Sequence, residues 1–275
     1  MELRGRVAVV TGGGSGIGRA VFLAFAAEGC AGVVVVDIDE AAAEAVATEV
    51  EAAGAEALAV ACDVGDPGQV DGVRDLAVRR FGTVHLVCNN AGILRSGATW
   101  ETTLEEWDAT FAVNVWGVVN GVRTFVPHLI AQGEGHVVNT ASLAGLTAAP
   151  GLAAYNASKH AVVALSETLH RDLLVSGHAG VGVSVVCPGL VATPIVDDPV
   201  TRSGRTDVGR LIGEALAERI PTSMAPEEVA AAVVASVEDG RFYVLTHPEQ
   251  TIAMVQQRFD DLVQGRVPAP GASPD

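Results

Sequence analysis

An alternation limits the fold of this chain more than any single residue does. Short, mainly apolar runs at residues 6–11, 33–38, 57–64, 84–88, 136–140 and 183–187 are separated by longer amphipathic stretches. Runs of strand length that stay apolar on both sides describe strands buried on both faces, as in a parallel sheet sandwiched between helices. The right-handed crossover rule makes such a sheet doubly wound. Helices are expected over 16–28, 40–53, 66–80, 104–131, 153–175, 208–219, 226–239 and 249–263, with a seventh strand at 242–246. The polar, turn-rich stretch after Pro194 reads as a lid over 195–219. Residues 266–275 read as a disordered tail. No Pro/Gly/Ser-rich linker divides the chain before residue 190, so residues 1–265 are expected to form one domain.

Charge and composition exclude several kinds of partner. The formal net charge is −16, which argues against nucleic acid, whose phosphates need clustered Lys and Arg. It also disfavours anionic membrane surfaces. No apolar run approaches the ~20 residues of a membrane-spanning helix, and the opening MELRGRVAVVTGG lacks a signal-peptide layout. The protein is therefore read as soluble and cytoplasmic. Cys30, Cys62, Cys88 and Cys187 form no CxxC pair and lie in or beside apolar runs, as buried free thiols do. The histidines show no HExxH spacing. His85 and His136 open apolar strands and read as structural, so no metal site is expected.

Thr11-Gly12-Gly13-Gly14-Ser15-Gly16-Ile17-Gly18 lies between the first strand and the first helix. Glycines there permit a tight turn and a close backbone approach to a pyrophosphate. The helix N-terminus adds free N–H groups and the positive end of a dipole. This placement makes the sheet Rossmann-like: α/β, three layers, α/β/α. Asp37 ends the second strand. A carboxylate there can accept both hydroxyls of an adenosine ribose and repel a 2′-phosphate, so the cofactor expected is NAD. The bland alternative is a cap for the next helix, a role Asp39 could equally fill. Asp63 and Val64 follow the third strand and could meet the adenine edge. Asp66, with Pro67 after it, is the better cap of the following helix.

Of the 17 basic residues, 16 are arginine and one is lysine, Lys159. It stands four residues after Tyr155, one of only two tyrosines. Spaced i, i+4 on a helix, the two side chains share a face. Chance would give that pairing roughly once in a hundred. An ammonium beside a phenol favours the phenolate and lowers its pKa from about 10, suiting the phenol to proton transfer with an alcohol or a carbonyl. Ser142 ends the fifth strand at the same sheet edge and could hydrogen-bond the reacting oxygen. Asn114 sits in an apolar helical run, where an amide must be bonded. It reads either as a kink or buried amide network, or as support for the lysine through water.

Taken in order and spacing, these motifs resemble the short-chain dehydrogenase/reductase family, in its main group of about 250 residues. The likeness runs from about residue 4 to about residue 194. Asn89-Asn90-Ala91-Gly92 is similar to the family's NNAG segment, which steadies the sheet and contacts the adenosine ribose. Asn114, Ser142, Tyr155 and Lys159 fall where its catalytic four lie. Pro188-Gly189-Leu190-Val191-Ala192-Thr193 is similar to the segment that holds the nicotinamide carboxamide through Val and Thr.

The resemblance implies that Tyr155 takes the hydroxyl proton while a hydride passes to the nicotinamide. Lys159 grips the nicotinamide ribose and lowers the tyrosine pKa. Ser142 steadies the reacting oxygen, and Asn114 fixes a water linking Lys159 to solvent. A homotetramer or homodimer is implied, with helices 104–131 and 153–175 at an interface. Leu94, Leu143, Leu152 and Leu190, with Ala144, should bound the pocket. These aliphatic walls suit an apolar secondary alcohol or ketone as the small-molecule substrate. A catalytically silent NAD-binding regulator of the same fold is the alternative, and an intact Asn-Ser-Tyr-Lys set argues against it.

Overall fold

A computed structural model of the chain describes residues 1–198, 201 and 206–268. Seven parallel strands form one sheet: β1 (Val7–Thr11), β2 (Gly32–Asp37), β3 (Glu56–Ala61), β4 (Leu86–Asn89), β5 (Gly135–Thr140), β6 (Val181–Cys187) and β7 (Tyr243–Leu245). Their order across the sheet is β3-β2-β1-β4-β5-β6-β7. After β3 the chain crosses to the far side of β1, so the winding reverses between β1 and β4. In doubly wound sheets the crevice at that reversal, beyond the strand C-termini, is where ligands bind.

Among the described residues the helices are α1 (Gly16–Ala27), α2 (Glu40–Ala52), α3 (Pro67–Phe81), α4 (Leu104–Phe111), α5 (Gly117–Gln132), α6 (Ala153–Val175), α7 (Asp207–Arg219), α8 (Pro226–Asp239) and α9 (Pro248–Val263). Strand alternation puts Ala8, Val10, Val33 and Val35 in one core with Phe22 and Phe25 of α1, Val46 of α2 and Val233 of α8. The intervening Val9, Val34 and Val36 pack on the opposite face with Val70 and Val73 of α3 and Phe125 of α5. Both faces of one valine-rich strand are therefore buried, and the three expected layers follow. Val162 and Val163 of α6 extend the second face over β6.

Helix starts follow local chemistry. The Asp39 carboxylate accepts from Ala42 N at 3.1 Å and so caps α2. Asp66 accepts from Gly68 N at 2.8 Å and Gln69 N at 3.3 Å, with Pro67 at the first helical position. Thr103 and Glu106 form a reciprocal capping box on α4.

Some expected boundaries shift. The third strand ends at Ala61 rather than 64, and β5 ends at Thr140, so Ser142 lies two residues beyond it. The expected helix over 104–131 is interrupted by a π turn, Ala112–Trp116, centred on Asn114. Hydrophobic periodicity alone does not reveal one inserted residue in a helix. The expected lid is described at 195–198, 201 and 206–219. Its remaining residues, and 269–275 of the expected tail, lie outside the described residues. Among the described residues no helix is long and apolar enough to cross a membrane.

Candidate active site

A cavity of about 1000 Å3 opens at the winding reversal. Its floor on one side is the turn after β1. Gly12 takes a positive φ of 64°, which glycine adopts without strain. A Cβ on Gly12 would lie 2.8 Å from Ala91 Cα, and one on Gly18 would overlap the Gly12 carbonyl oxygen. Gly12, Ser15, Gly16 and Ile17 line the cavity, whereas Gly14 and Gly18 do not. Gly18 is needed for packing helix against turn rather than for ligand contact. Ser15 precedes α1 without a side-chain cap bond, and no acidic residue occupies the first turn.

Asp37 turns its carboxylate toward this turn. Its Oδ2 accepts from Gly14 N at 2.9 Å and its Oδ1 from Asp39 N at 3.1 Å. Asp39 caps α2, so Asp37 is left facing the cavity. Asp63 and Val64 line the same end, with Asp63 Oδ1 accepting from Gly65 N at 2.8 Å. Asn90 also lines the cavity, but its amide is engaged by the protein. Nδ2 donates to the carbonyls of Thr11 (3.1 Å) and Gly12 (3.3 Å), and Oδ1 accepts from Thr140 Oγ1 at 3.2 Å. Asn90 thus ties the turn after β1 to β4 and β5. Asn89 bonds Asn139 Oδ1 at 2.9 Å inside the sheet.

Tyr155 and Lys159 project from the first turns of α6. The phenol and Ser142 line the same cavity, and Ser142 caps a short 3-10 turn, Leu143–Gly145, by accepting from Ala144 N at 3.1 Å. That turn touches α6 so closely that a Cβ on Gly145 would lie 2.6 Å from the Lys159 carbonyl oxygen. Lys159 is 3 % exposed. Its Nζ donates to Thr140 O at 2.9 Å and lies 5.7 Å from the Tyr155 ring centroid.

The electrostatics depart from expectation. Burial pushes the Tyr155 pKa up, and the neighbouring Ser142 hydroxyl opposes it. Burial also pulls Lys159 down, to about 8, with Cys187 acting in the other direction. The lysine does not produce a net lowering of the phenol, because desolvation penalises the charged form of each partner. Asn114 is 0 % exposed and does not line the cavity. Its Oδ1 accepts from Ile93 N at 2.9 Å, and its Nδ2 donates to Ile93 O and Ser158 Oγ, both at 3.0 Å. The buried amide network is what the structure contains at that position.

Beyond Tyr155 the cavity is apolar. Leu94 and Leu152 cluster with Tyr155, and Ala144, Ile195, Ile212 and Leu216 pack on them. Leu143 and Leu190 line the same space. Val191 pairs with Met224. Thr193 lines the cavity, and its hydroxyl makes no cap bond to the short turn it precedes. Sequence reading missed several walls: Arg95, the 147–150 loop, Arg219, and His247, Gln250 and Met254 at the start of α9. Only the amphipathic spacing of Ile212, Leu216 and Arg219 along α7 hints at one of them.

The cysteines are free and buried, as expected. His136 is a core residue, 2.8 Å from Ser184 Oγ. His85 accepts from Val7 N at 3.1 Å.

The short chain dehydrogenase family model matches residues 6–202. Over its whole length the chain is 39 % identical to a 1-deoxy-11-beta-hydroxypentalenate dehydrogenase of Streptomyces exfoliatus, covering 94 % of it. It is similar to a short-chain dehydrogenase/reductase from Burkholderia phymatum solved in complex with NAD. There the TM-score is 0.94 at 39 % identity, over 99 % of each chain. A levodione reductase structure gives a TM-score of 0.78 at 30 % identity, over 91 % of this chain and 99 % of the other. With the winding reversal, the glycine turn and the Ser-Tyr-Lys cluster in one cavity, these matches mean that the chain belongs to the short-chain dehydrogenase/reductase family of oxidoreductases.

Proposed function

We propose that the chain interconverts an apolar secondary alcohol and its ketone with NAD(H), using Tyr155 as the general acid/base. The observation that carries this is that Tyr155, Ser142 and Lys159 line one cavity with Asp37 and the glycine turn.

A dinucleotide fits what the chain offers. The first turn of α1 has no side-chain cap, and Asp37 lies where a ribose with a free 2′-hydroxyl would be read. The cavity exceeds what a small substrate alone would need. The bound cofactor supplies the hydride acceptor or donor. Gly12, Gly14, Ser15, Gly16, Ile17 and Gly18 shape the phosphate turn. Asp63, Val64 and Asn90 would border the adenosine, and Val191 and Thr193 would hold the carboxamide.

Tyr155 Oη accepts the proton of an alcohol or returns it to a ketone oxygen. Ser142 Oγ holds that oxygen in place. A lysine titrating near 8 is still mostly an ammonium at pH 7. In a water-poor site its field favours the phenolate at the moment of proton transfer. Lys159 would also hold the nicotinamide ribose. Asn114 is a positioning residue: it holds Ile93 and Ser158 beside the lysine and supports a water path to solvent.

The leucine wall excludes water and receives an apolar body. The relative named for a hydroxypentalenate and the levodione reductase fit that choice. The further reading is one catalytic domain over 1–265 with a lid at 195–219, acting in the cytoplasm as a homotetramer or homodimer. A panel of cyclic and open-chain secondary alcohols with NAD+, and of their ketones with NADH, read by nicotinamide absorbance, tests the proposal. Apolar cyclic alcohols should turn over fastest. No turnover of any member, in either direction, would sink it.

A further inference from the structure

Three cationic side chains among the described residues line the cavity: Arg95, Lys159 and Arg219. Two are committed to the protein. Arg95 Nη1 pairs with Asp198 Oδ2 at 3.1 Å and donates to Leu94 O and Thr201 Oγ1, both at 3.2 Å. Lys159 donates to Thr140 O. Arg219 is half-buried, and its guanidinium has no ion pair or hydrogen bond among the described residues. Its backbone carbonyl accepts from the Thr222 and Ser223 hydroxyls. A lone guanidinium in a cavity wall is costly to hold there unless an anion arrives.

The position of Arg219 identifies the anion. Along α7, Ile212 and Leu216 pack on the Tyr155 cluster. Arg219 follows on the same face, close to one turn further along. The chain then runs directly through Ile220–Thr222 to Met224, which pairs with Val191 and accepts from Ala192 N at 2.9 Å. Thr193 in turn lies against the glycine turn: a Cβ on Gly16 would be 2.9 Å from its methyl. The C-terminal end of α7, where Arg219 stands, is thus tied through Met224 and the 191–193 segment to the glycine turn.

The charges at that end are unbalanced. Asp37 and Asp63 line it, no basic residue lies in the turn, and the chain carries a formal −16. The N-terminus of α1 contributes only about half a positive charge, against two negative charges on a dinucleotide diphosphate. We propose that Arg219 is the cofactor-binding cation that grips the diphosphate from the α7 side, across the cavity from the N-terminus of α1. This inference rests on the NAD(H) reading above. A guanidinium suits the task, since its fork donates to two phosphate oxygens at once.

The test is equilibrium binding to the full chain, with no turnover involved. NADH is titrated by fluorescence, and ADP-ribose and adenosine by displacement of NADH, in the wild type, Arg219→Met and Arg219→Lys. Arg219→Met should weaken NADH and ADP-ribose about tenfold or more and leave adenosine within twofold. Arg219→Lys should recover part of the loss. The affinity of the wild type for NADH should also fall more steeply with added salt than that of Arg219→Met. Arg219→Gln is the second truncation should Arg219→Met misfold, with the same loss expected. Unchanged NADH and ADP-ribose affinity in a folded truncation would overturn the proposal. So would equal losses for NADH, ADP-ribose and adenosine, which would mean that Arg219 does not act at the diphosphate. Failure of the wild type itself to bind NADH would instead overturn the cofactor reading.

Discussion

The two halves of the cavity are built in opposite ways. The half beneath the glycine turn is shaped by main chain and by one contiguous segment, residues 11–18, joined by Asp37 and Asn90. Its critical contacts leave no space: the Gly12 and Gly18 positions cannot hold a Cβ without displacing backbone. The half beyond Tyr155 is shaped by side chains from separate segments, including Leu94, Leu152, Ile195, Ile212 and Leu216, with Met254 of α9 at its border. A backbone-shaped site recognises an invariant group and tolerates little change. A side-chain wall can be recut one residue at a time without disturbing the sheet. The Tyr155–Lys159–Ser142 cluster sits at the seam and serves both.

Substitutions can break or sharpen that division. The largest effect is expected at the seam. Lys159→Arg keeps the charge but needs more room where Nζ lies 3.4 Å from a Cβ position on Gly92. Turnover at saturating cofactor and substrate should fall by about a hundredfold or more. Near-normal turnover would mean that charge alone matters there. In the glycine-turn half, Asp37→Ser should weaken NAD about tenfold and improve NADP, measured as the ratio of their kcat/KM values. An unchanged ratio would reduce Asp37 to a support for Gly14. In the leucine-walled half, Leu152→Ala should raise KM for an apolar alcohol severalfold and leave NADH affinity within twofold. A parallel loss of NADH affinity would mean that the halves are not separable.

A further effect, on stability rather than turnover, lies outside both halves. Burial holds His136 at about 4, against an ordinary value of 6.5. The unfolded chain therefore binds a proton that the folded chain refuses between those values. Stability from this group is complete above pH 6.5 and is lost as pH falls toward 4, by an amount on the order of 3 kcal/mol. Thermal melts of the wild type and His136→Gln at pH 7 and pH 4.5 check it. The acid-induced drop should be smaller in the variant.

What the sequence disclosed divides along the same seam. The strand–turn–helix glycines, Asp37 and the Tyr155/Lys159 spacing were legible because each is a local pattern with a local physical cause. Asp39 and Asp66 were legible as caps for the same reason. The π turn at Asn114 was not, since one extra residue leaves helix periodicity nearly intact. Nor were Arg219, the 147–150 loop, His247 just before α9, or Gln250 and Met254 within it, which reach the cavity only through the way distant helices dock. The direction of the Tyr155 shift was also hidden. It depends on how deeply both partners are buried, which i, i+4 spacing does not encode.

The central claim is that Tyr155 moves the proton in a site that binds its cofactor without it. Tyr155→Phe, measured by NADH titration and by turnover on the same preparation, tests it most directly. The account predicts NADH affinity within a few fold of wild type and turnover lower by about a thousandfold. Unimpaired turnover in that variant would contradict it.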